Sequence, residues 1–228
     1  MKKSVVLVLS LLFVTLQSYN TTPTFLKNEL AESASILSEK FSIDEQAVLM
    51  ALTGFEKLKN QGLVNNERYL TIVDFSKPSN EERLYIIDMY NKEMAIQTYV
   101  AHGRKSGTLF ATHFSNKQSS NQSSLGFYVT GNTYFGKHGK SLELLGVEPG
   151  INDNAKQRAI VLHGANYVSN SFIKSSGYLG RSQGCPAVPN NQIEDIIDII
   201  KGESCFFIYA PSKSYFSRSR LVNIESAA

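Results

Sequence analysis

The sequence has few of the side chains on which metal-rich and disulfide-rich folds depend. Its 228 residues include no Trp, two Cys and four His, and its formal net charge is only +3. Two cysteines are too few for a disulfide scaffold, and no pair of histidines has the spacing of zinc ligands. The small charge argues against a nucleic-acid partner or a polybasic membrane contact. Cysteine or histidine chemistry must therefore come from Cys185, Cys205, His102, His113, His138 and His163.

What the chain does have is the composition of a globular protein, with 42% hydrophobic residues, 13 Phe and 11 Tyr. At its N-terminus, Lys2 and Lys3 precede an uncharged, apolar run over residues 5–16. This pattern is typical of a secretory signal and is short for a membrane span. We expect residues 1–18 to be a signal peptide and the protein to be exported to the periplasm or cell envelope. If the signal is not cleaved, it becomes an N-terminal membrane anchor.

Two amphipathic stretches after the signal predict helices. Residues 25–40 form the weaker one, and a second begins at a capping box of Ser42 and Glu45 and ends at Gly62. From residue 69 the period changes to about two. This change predicts strands over 69–74, 83–90, 94–101, 126–130, 158–163 and 204–210. A Ser-rich loop over 115–124 precedes the fourth strand, and a helix over 191–201 precedes the last. The chain thus divides into a helical segment (19–64), a mainly β domain (65–211) and a C-terminal tail (212–228).

Two short segments have the residues of a nucleophilic site. Residues 159–165 (AIVLHGA) predict a buried strand that carries His163, and Cys185 follows 22 residues after this histidine in a Gly-flanked turn. A thiol is a poor nucleophile at neutral pH unless an imidazole takes its proton. Gly184 allows backbone amides to approach a substrate carbonyl, as an oxyanion hole requires. Because a proline follows the cysteine, the donors must be Cys185 itself with Gly184 or Gln183.

Four segments resemble the murein L,D-transpeptidase catalytic domain family, also called YkuD-like. The matching residues are 124–128 (SLGFY), 136–139 (GKHG), 160–164 (IVLHG) and 182–185 (SQGC). The hallmark of the family is a His-Gly on a strand followed by Ser/Thr-x-Gly-Cys. The likeness covers residues 65–210 and implies a β-sandwich-like catalytic domain preceded by a small α-helical segment. In two departures, Gln183 stands where many members have His, and Pro186-Ala187 stands where members have Asn or Arg.

The resemblance implies a cysteine-dependent L,D-transpeptidase with Cys185 as nucleophile and His163 as base. The carbonyl of Gly164 would orient the imidazole through its other nitrogen. The substrate would be a peptidoglycan stem peptide, whose L,D amide is attacked with release of D-Ala. The acyl group would then pass to an amine on a neighbouring stem, giving a 3–3 cross-link, or on a wall-anchored protein. This chemistry needs no metal and no organic cofactor.

Five further residues are candidate substrate contacts. Gln183 and Ser182 belong to the turn over 182–185 that carries Cys185, here called the nucleophile turn, and are expected near the oxyanion. Arg181 would bind a substrate carboxylate. His138 lies in a Gly-flanked turn, where substrate contact and a plain exposed loop are both open. Tyr128 would line the cleft or pack within the sheet.

Two other functions fit the same residues. If water accepts the acyl group, the enzyme is an L,D-carboxypeptidase or an amidase that detaches a protein from the wall. In a non-enzymatic alternative, Cys185 and Cys205 form a disulfide in an exported wall-binding module. Cys205 lies in a strand-like apolar run, where a buried inert thiol is equally at home. The state of Cys185 therefore separates these hypotheses.

Overall fold

The computed structural model describes residues 23–223, so the predicted signal peptide lies outside the described residues. The helices in this range are α1 (Pro23–Phe41), α2 (Glu45–Asn60), α3 (Asn170–Ser176), α4 (Ile193–Ile200) and α5 (Lys213–Arg218). The strands are β1 (Tyr69–Asp74), β2 (Leu84–Asp88), β3 (Glu93–Thr98), β4 (Gly126–Gly136), β5 (Gly139–Gly146), β6 (Val161–Ala165), β7 (Ala187–Pro189) and β8 (Cys205–Tyr209). Each of these helices is too short or too polar to cross a lipid bilayer.

The strands form one sheet of eight in the order β3-β2-β1-β8-β4-β5-β6-β7. Neighbours are antiparallel except β1 with β8 and β6 with β7, which are parallel. Isolated bridges from Ala101 to Ala187 and from Gly103 to Ser182 connect the segment after β3 with the opposite edge of the sheet. The sheet is therefore curled and barrel-like, and the predicted mainly β domain behind a helical segment is confirmed.

Element boundaries differ from the predicted ones where tertiary contacts decide. β5 and the three-residue β7 were not expected, and β4 continues to Gly136 because it pairs with β5. The predicted capping box is wrong: Asp44 caps α2 by accepting a hydrogen bond from Ala47 N–H at 2.8 Å. Ser42 instead adopts a left-handed backbone conformation, with φ of 54°, in the turn that follows α1. Within the predicted tail, α5 places the buried ring of Tyr215 against the core.

Helix α2 holds the helical segment on the middle of the sheet. Its buried face approaches the sheet tightly at Gly54, where a Cβ atom would lie 2.1 Å from the ring of Phe127 on β4. Phe127 stacks on Phe207 of the adjacent β8, with ring centroids 4.2 Å apart. The helix and two central strands therefore share one tightly packed contact, in which the absence of a side chain at residue 54 is required.

We expect Gly54→Ala to lower the free energy of unfolding by about 1 kcal/mol, the net of two opposing effects. The added methyl must displace the fully buried ring of Phe127, and such overpacking costs about 1–3 kcal/mol, against a gain in helix propensity of about 1 kcal/mol. Urea unfolding of both variants measures the difference. Asn60→Ala, at the exposed end of the same helix, is the matched control and should leave the midpoint unchanged. A Gly54→Ala protein as stable as the wild type would contradict this packing.

Candidate active site

A cleft of about 360 Å³ contains the residues singled out in the sequence as nucleophile and base. Its lining includes Cys185, His163, His138, Lys137, Arg158 and Arg181. None of the described residues that line it is Asp or Glu. The cleft is therefore a cationic environment that combines a thiol with two imidazoles.

Parallel pairing between β6 and β7 brings the two parts of the motif together. His163 on β6 lies beside Ala187 on β7, two residues after Cys185. On its other side, His163 pairs with Ser141 of β5. The histidine is thus fixed by hydrogen-bonded strands on both sides, while the cysteine ends the turn that leads into β7. A separation of 22 residues in sequence becomes adjacency across one strand pair.

The imidazole of His163 is oriented by the backbone, as the resemblance implies. Its Nδ1 lies 2.8 Å from the carbonyl oxygen of Gly164. A proton on Nδ1 that donates to this oxygen leaves the lone pair of Nε2 free to accept another proton. Burial lowers the pKa of His163; the bond to Gly164 opposes this effect, and the charges of His138 and Lys137 add to it. His163 is therefore a neutral imidazole at neutral pH, as a general base must be.

His138 covers the base. It lies in the turn between β4 and β5, and its ring stacks on that of His163 with centroids 4.3 Å apart and planes inclined by 24°. Of the two alternatives that the sequence left open for His138, the structure places the side chain at the site. This stacking shields one face of His163 from water and limits its rotation.

Cys185 carries a free, partly buried thiol. Its S–H donates to the carbonyl oxygen of Ala159 at 3.4 Å, and the N–H of Val161 lies 3.5 Å from the sulfur. Burial raises the pKa of this thiol, whereas the Val161 N–H and the charge of Arg158 lower it. Within residues 23–223, no hydrogen bond joins this sulfur to His163. The arrangement is a resting one, with a neutral thiol and a neutral base facing the same cleft.

Ser182 stabilises the nucleophile turn by hydrogen bonds within it. It was expected to contact the substrate. Its buried Oγ donates to the carbonyl of Cys185 and accepts a hydrogen bond from Gly184 N–H at 3.0 Å. Of the two alternatives for the second oxyanion donor, Gly184 or Gln183, the N–H of Gly184 is already engaged in this conformation. Gln183 lies exposed at the cleft, so the remaining candidate donors are the N–H groups of Gln183 and Cys185.

A glycine is needed at position 184 because of close contacts and backbone conformation. Its φ is +133°, and a Cβ atom would lie 2.9 Å from the carbonyl oxygen of Gln122 and 3.2 Å from Nη2 of Arg158. The turn that presents Cys185 is therefore packed directly on the Ser-rich segment over 115–124.

Arg181 and Tyr128, the other two predicted substrate contacts, lie in different surroundings. Arg181 lies at the edge of the cleft, where its Nη1 donates to Gly107 O at 3.3 Å and its guanidinium stands 5.5 Å from the ring centre of Tyr178. Tyr128 is fully buried on β4, and its hydroxyl lies 2.7 Å from Ser124 Oγ. Of the two alternatives that the sequence left open for Tyr128, the structure shows packing within the sheet.

The structure contradicts the disulfide alternative. Cys205 is buried on β8, and burial raises the pKa of its thiol. Strands β4 and β5 separate β8 from β6, beside which Cys185 lies. Three strand spacings amount to about 14 Å, whereas a disulfide needs Cα atoms within about 7 Å. Both cysteines are free thiols.

Arg158 and Lys137 are two cationic residues of the cleft that the sequence interpretation missed. Arg158 was expected to begin a strand, but β6 starts at Val161 and the guanidinium instead lines the cleft. The available signal was that Lys137 lies within the matched segment 136–139 and Arg158 lies two residues before the matched segment 160–164. His102, by contrast, is buried elsewhere with its Nδ1 2.8 Å from Arg83 Nη2, and burial lowers its pKa to about 4. Among the described residues, no three His, Cys, Asp or Glu side chains converge as a metal site would require.

Comparisons with known proteins place this cleft in a family context. A family model described as the L,D-transpeptidase catalytic domain matches residues 39–209. No curated protein sequence matches the chain.

Solved structures similar to the chain include three at low sequence identity. An L,D-transpeptidase from Mycobacterium smegmatis is 11% identical over 63% of this chain and 59% of that one, with a TM-score of 0.38. One from Stackebrandtia nassauensis is 10% identical over 81% and 80%, with a TM-score of 0.38. The helical cell shape determining protein of Campylobacter jejuni is 15% identical over 70% and 56%, also with a TM-score of 0.38. The chain thus spans less than two thirds of the first and third of these proteins.

Proposed function

The chain belongs to the L,D-transpeptidase catalytic domain family, and we propose that it cleaves the L,D amide of a peptidoglycan stem tetrapeptide through an acyl-enzyme on Cys185. The observation that carries this proposal is the meeting of His163 and Cys185 in one cleft, with Nδ1 of the histidine bonded to Gly164 O. Export of the protein across the cytoplasmic membrane is part of the proposal, because the substrate lies outside the cytoplasm.

The first half-reaction uses these two side chains. The Cys185 proton passes to Nε2 of His163 as sulfur attacks the carbonyl carbon of the diamino acid. The C–N bond to D-Ala then breaks, and the imidazolium returns the proton to the leaving amine. A thioester remains on Cys185. The hydrogen bond from Nδ1 to Gly164 O strengthens when the ring is charged, which stabilises the imidazolium.

The second half-reaction reverses the roles with a different amine. An acceptor amine on a neighbouring stem, or on a wall-anchored protein, attacks the thioester while His163 takes its proton. With a stem amine the new amide is a 3–3 cross-link, with a protein amine it attaches that protein to the stem, and in both cases the thiol is regenerated. With water as acceptor, the same intermediate gives L,D-carboxypeptidase or amidase activity.

The charge of the cleft fits the proposed donor. Lys137 and Arg181 line it, no described lining residue is acidic, and the leaving D-Ala carries a terminal carboxylate. Cations around a concave site attract and orient such a group. We propose that Arg181 contacts this carboxylate at the edge of the cleft.

Incubation of the purified chain with a disaccharide-tetrapeptide tests the proposal. We expect release of D-Ala and formation of 3–3 linked dimers, both detected by mass spectrometry. Release of D-Ala without dimers, even when an amine is added in excess, would indicate the carboxypeptidase alternative. A protein whose Cys185 reacts with thiol reagents but releases no D-Ala would contradict the assignment of the substrate.

A further inference from the structure

Arg158 is a half-buried cation that the proposed reaction steps leave unused. It precedes β6 and lines the cleft that contains Cys185. Among the described residues, its guanidinium donates only to neutral oxygens, all in the Ser-rich segment over 115–124: Ser115 O at 2.7 Å, Ser124 Oγ at 3.0 Å, Ser120 Oγ at 3.4 Å and Gln122 O. The side chain of Arg158 therefore connects the predicted Ser-rich loop over 115–124 to the site by hydrogen bonds.

The charge of Arg158 is not neutralised by a carboxylate. Within residues 23–223, no Asp or Glu oxygen lies within 4.0 Å of its guanidinium. Charges removed from water are normally paired with an opposite charge. A partly buried cation with neutral partners is therefore suited to stabilise an anion that forms only during the reaction.

The sulfur of Cys185 is the place where such an anion forms. The backbone directly before it packs on the cation, since a Cβ atom on Gly184 would lie 3.2 Å from Arg158 Nη2. The resting thiol donates to the carbonyl oxygen of Ala159. The backbone of Ala159 is left-handed, with φ of 51°. Loss of the thiol proton leaves this oxygen facing a negative sulfur, an unfavourable contact that a nearby cation offsets.

The segment and the nucleophile turn are also joined by hydrogen bonds. Ser123 Oγ donates to the carbonyl of Gly184 at 3.0 Å and accepts from Gly103 N–H at 3.0 Å. The guanidinium of Arg158 thus has a fixed position relative to Cys185. A fixed charge costs no reorganisation when the thiolate appears.

We propose that Arg158 is a positioning residue that stabilises the Cys185 thiolate with its charge while holding the 115–124 segment behind the nucleophile turn. The inference rests on the proposed function only in taking Cys185 as the nucleophile. Its consequence is a thiol that ionises more readily than its burial alone would allow.

The test is the pH dependence of Cys185 alkylation by iodoacetamide, followed by mass spectrometry of the peptide that contains Cys185. In Arg158→Gln, we expect the midpoint of the profile to move up by about one pH unit, so that alkylation below the midpoint is about 10-fold slower. In Arg158→Lys, which keeps the charge and loses the forked hydrogen bonds, we expect less than about a 3-fold change. Ser120→Ala removes one acceptor but no charge and should leave the midpoint unchanged.

Each result bears on the inference. An unshifted midpoint in a folded Arg158→Gln protein overturns it, since the residue would then only brace the loop. If Arg158→Gln does not fold, a folded Arg158→Lys protein whose midpoint rises by a full unit overturns it equally. Alkylation needs no peptidoglycan substrate, so failure here is distinct from failure to release D-Ala.

Discussion

Replacement of Cys185 by Ala should abolish covalent modification by a carbapenem and lower D-Ala release by about 10⁵-fold or more. The wild-type sulfur is expected to open the β-lactam ring and form a stable thioester, which adds the mass of the drug to the protein. Without the sulfur, neither the thioester nor the acyl-enzyme can form at residue 185. Intact-protein mass spectrometry and an amino-acid assay measure the two effects.

Cys205→Ala is the matched control for this experiment. Its thiol is buried on β8, and burial raises its pKa, so its loss should leave the mass increase intact. A Cys185→Ala protein that still gains the mass of the carbapenem, or a Cys205→Ala protein that does not, would show that the nucleophile has been misassigned.

His163→Ala should slow acylation by about 10³-fold at neutral pH, the usual contribution of a positioned general base. The thiol of Cys185 has a pKa raised by burial, so only a small fraction is thiolate at pH 7 and the base is needed. As pH rises toward the thiol pKa, the thiolate fraction grows about ten-fold per unit. The defect of the variant should therefore shrink in alkaline buffer.

Stopped-flow acylation by a carbapenem between pH 6 and pH 9 (a range of about three units, wide enough to include partial thiolate formation) measures this recovery. His138→Ala is the comparison, because it removes the stacked ring and leaves the base; its defect should be smaller and show no alkaline recovery. If His163→Ala stays equally defective across the range, the histidine is required for structure and not for proton transfer.

Local sequence predicted that His163 and Cys185 share a cleft, but it did not predict all the residues that surround them. His163 and Cys185 could be identified because a His-Gly on an apolar strand and a Gly-flanked cysteine are local patterns. Tyr128 could not be placed, since β4 is buried on both faces where it lies and alternation then gives no direction. Arg158 depends on where the 115–124 segment folds back, which no short pattern records.

The start of α2 at Asp44 is a second feature that local sequence did not predict, because a neighbouring turn decides it. Ser42 and Glu45 have the spacing of a capping box, but the turn after α1 puts Ser42 in a left-handed conformation. Its side chain is then directed by the turn and not by the helix that follows. Asp44 takes over the N–H of Ala47, because side chains near a helix start compete for the same few donors.

The strand order has a consequence for how the molecule assembles. β8, the last strand of the described range, lies between β1 and β4, so the chain emerging from the ribosome has the strands of both half-sheets before the strand that joins them. Phe207 on that strand also stacks on the ring of Phe127, against which α2 packs. Pairings of such long sequence separation slow folding. Biosynthesis thus supplies His163 and Cys185 first, and the sheet that aligns their cleft closes only after residues 205–209 have been made.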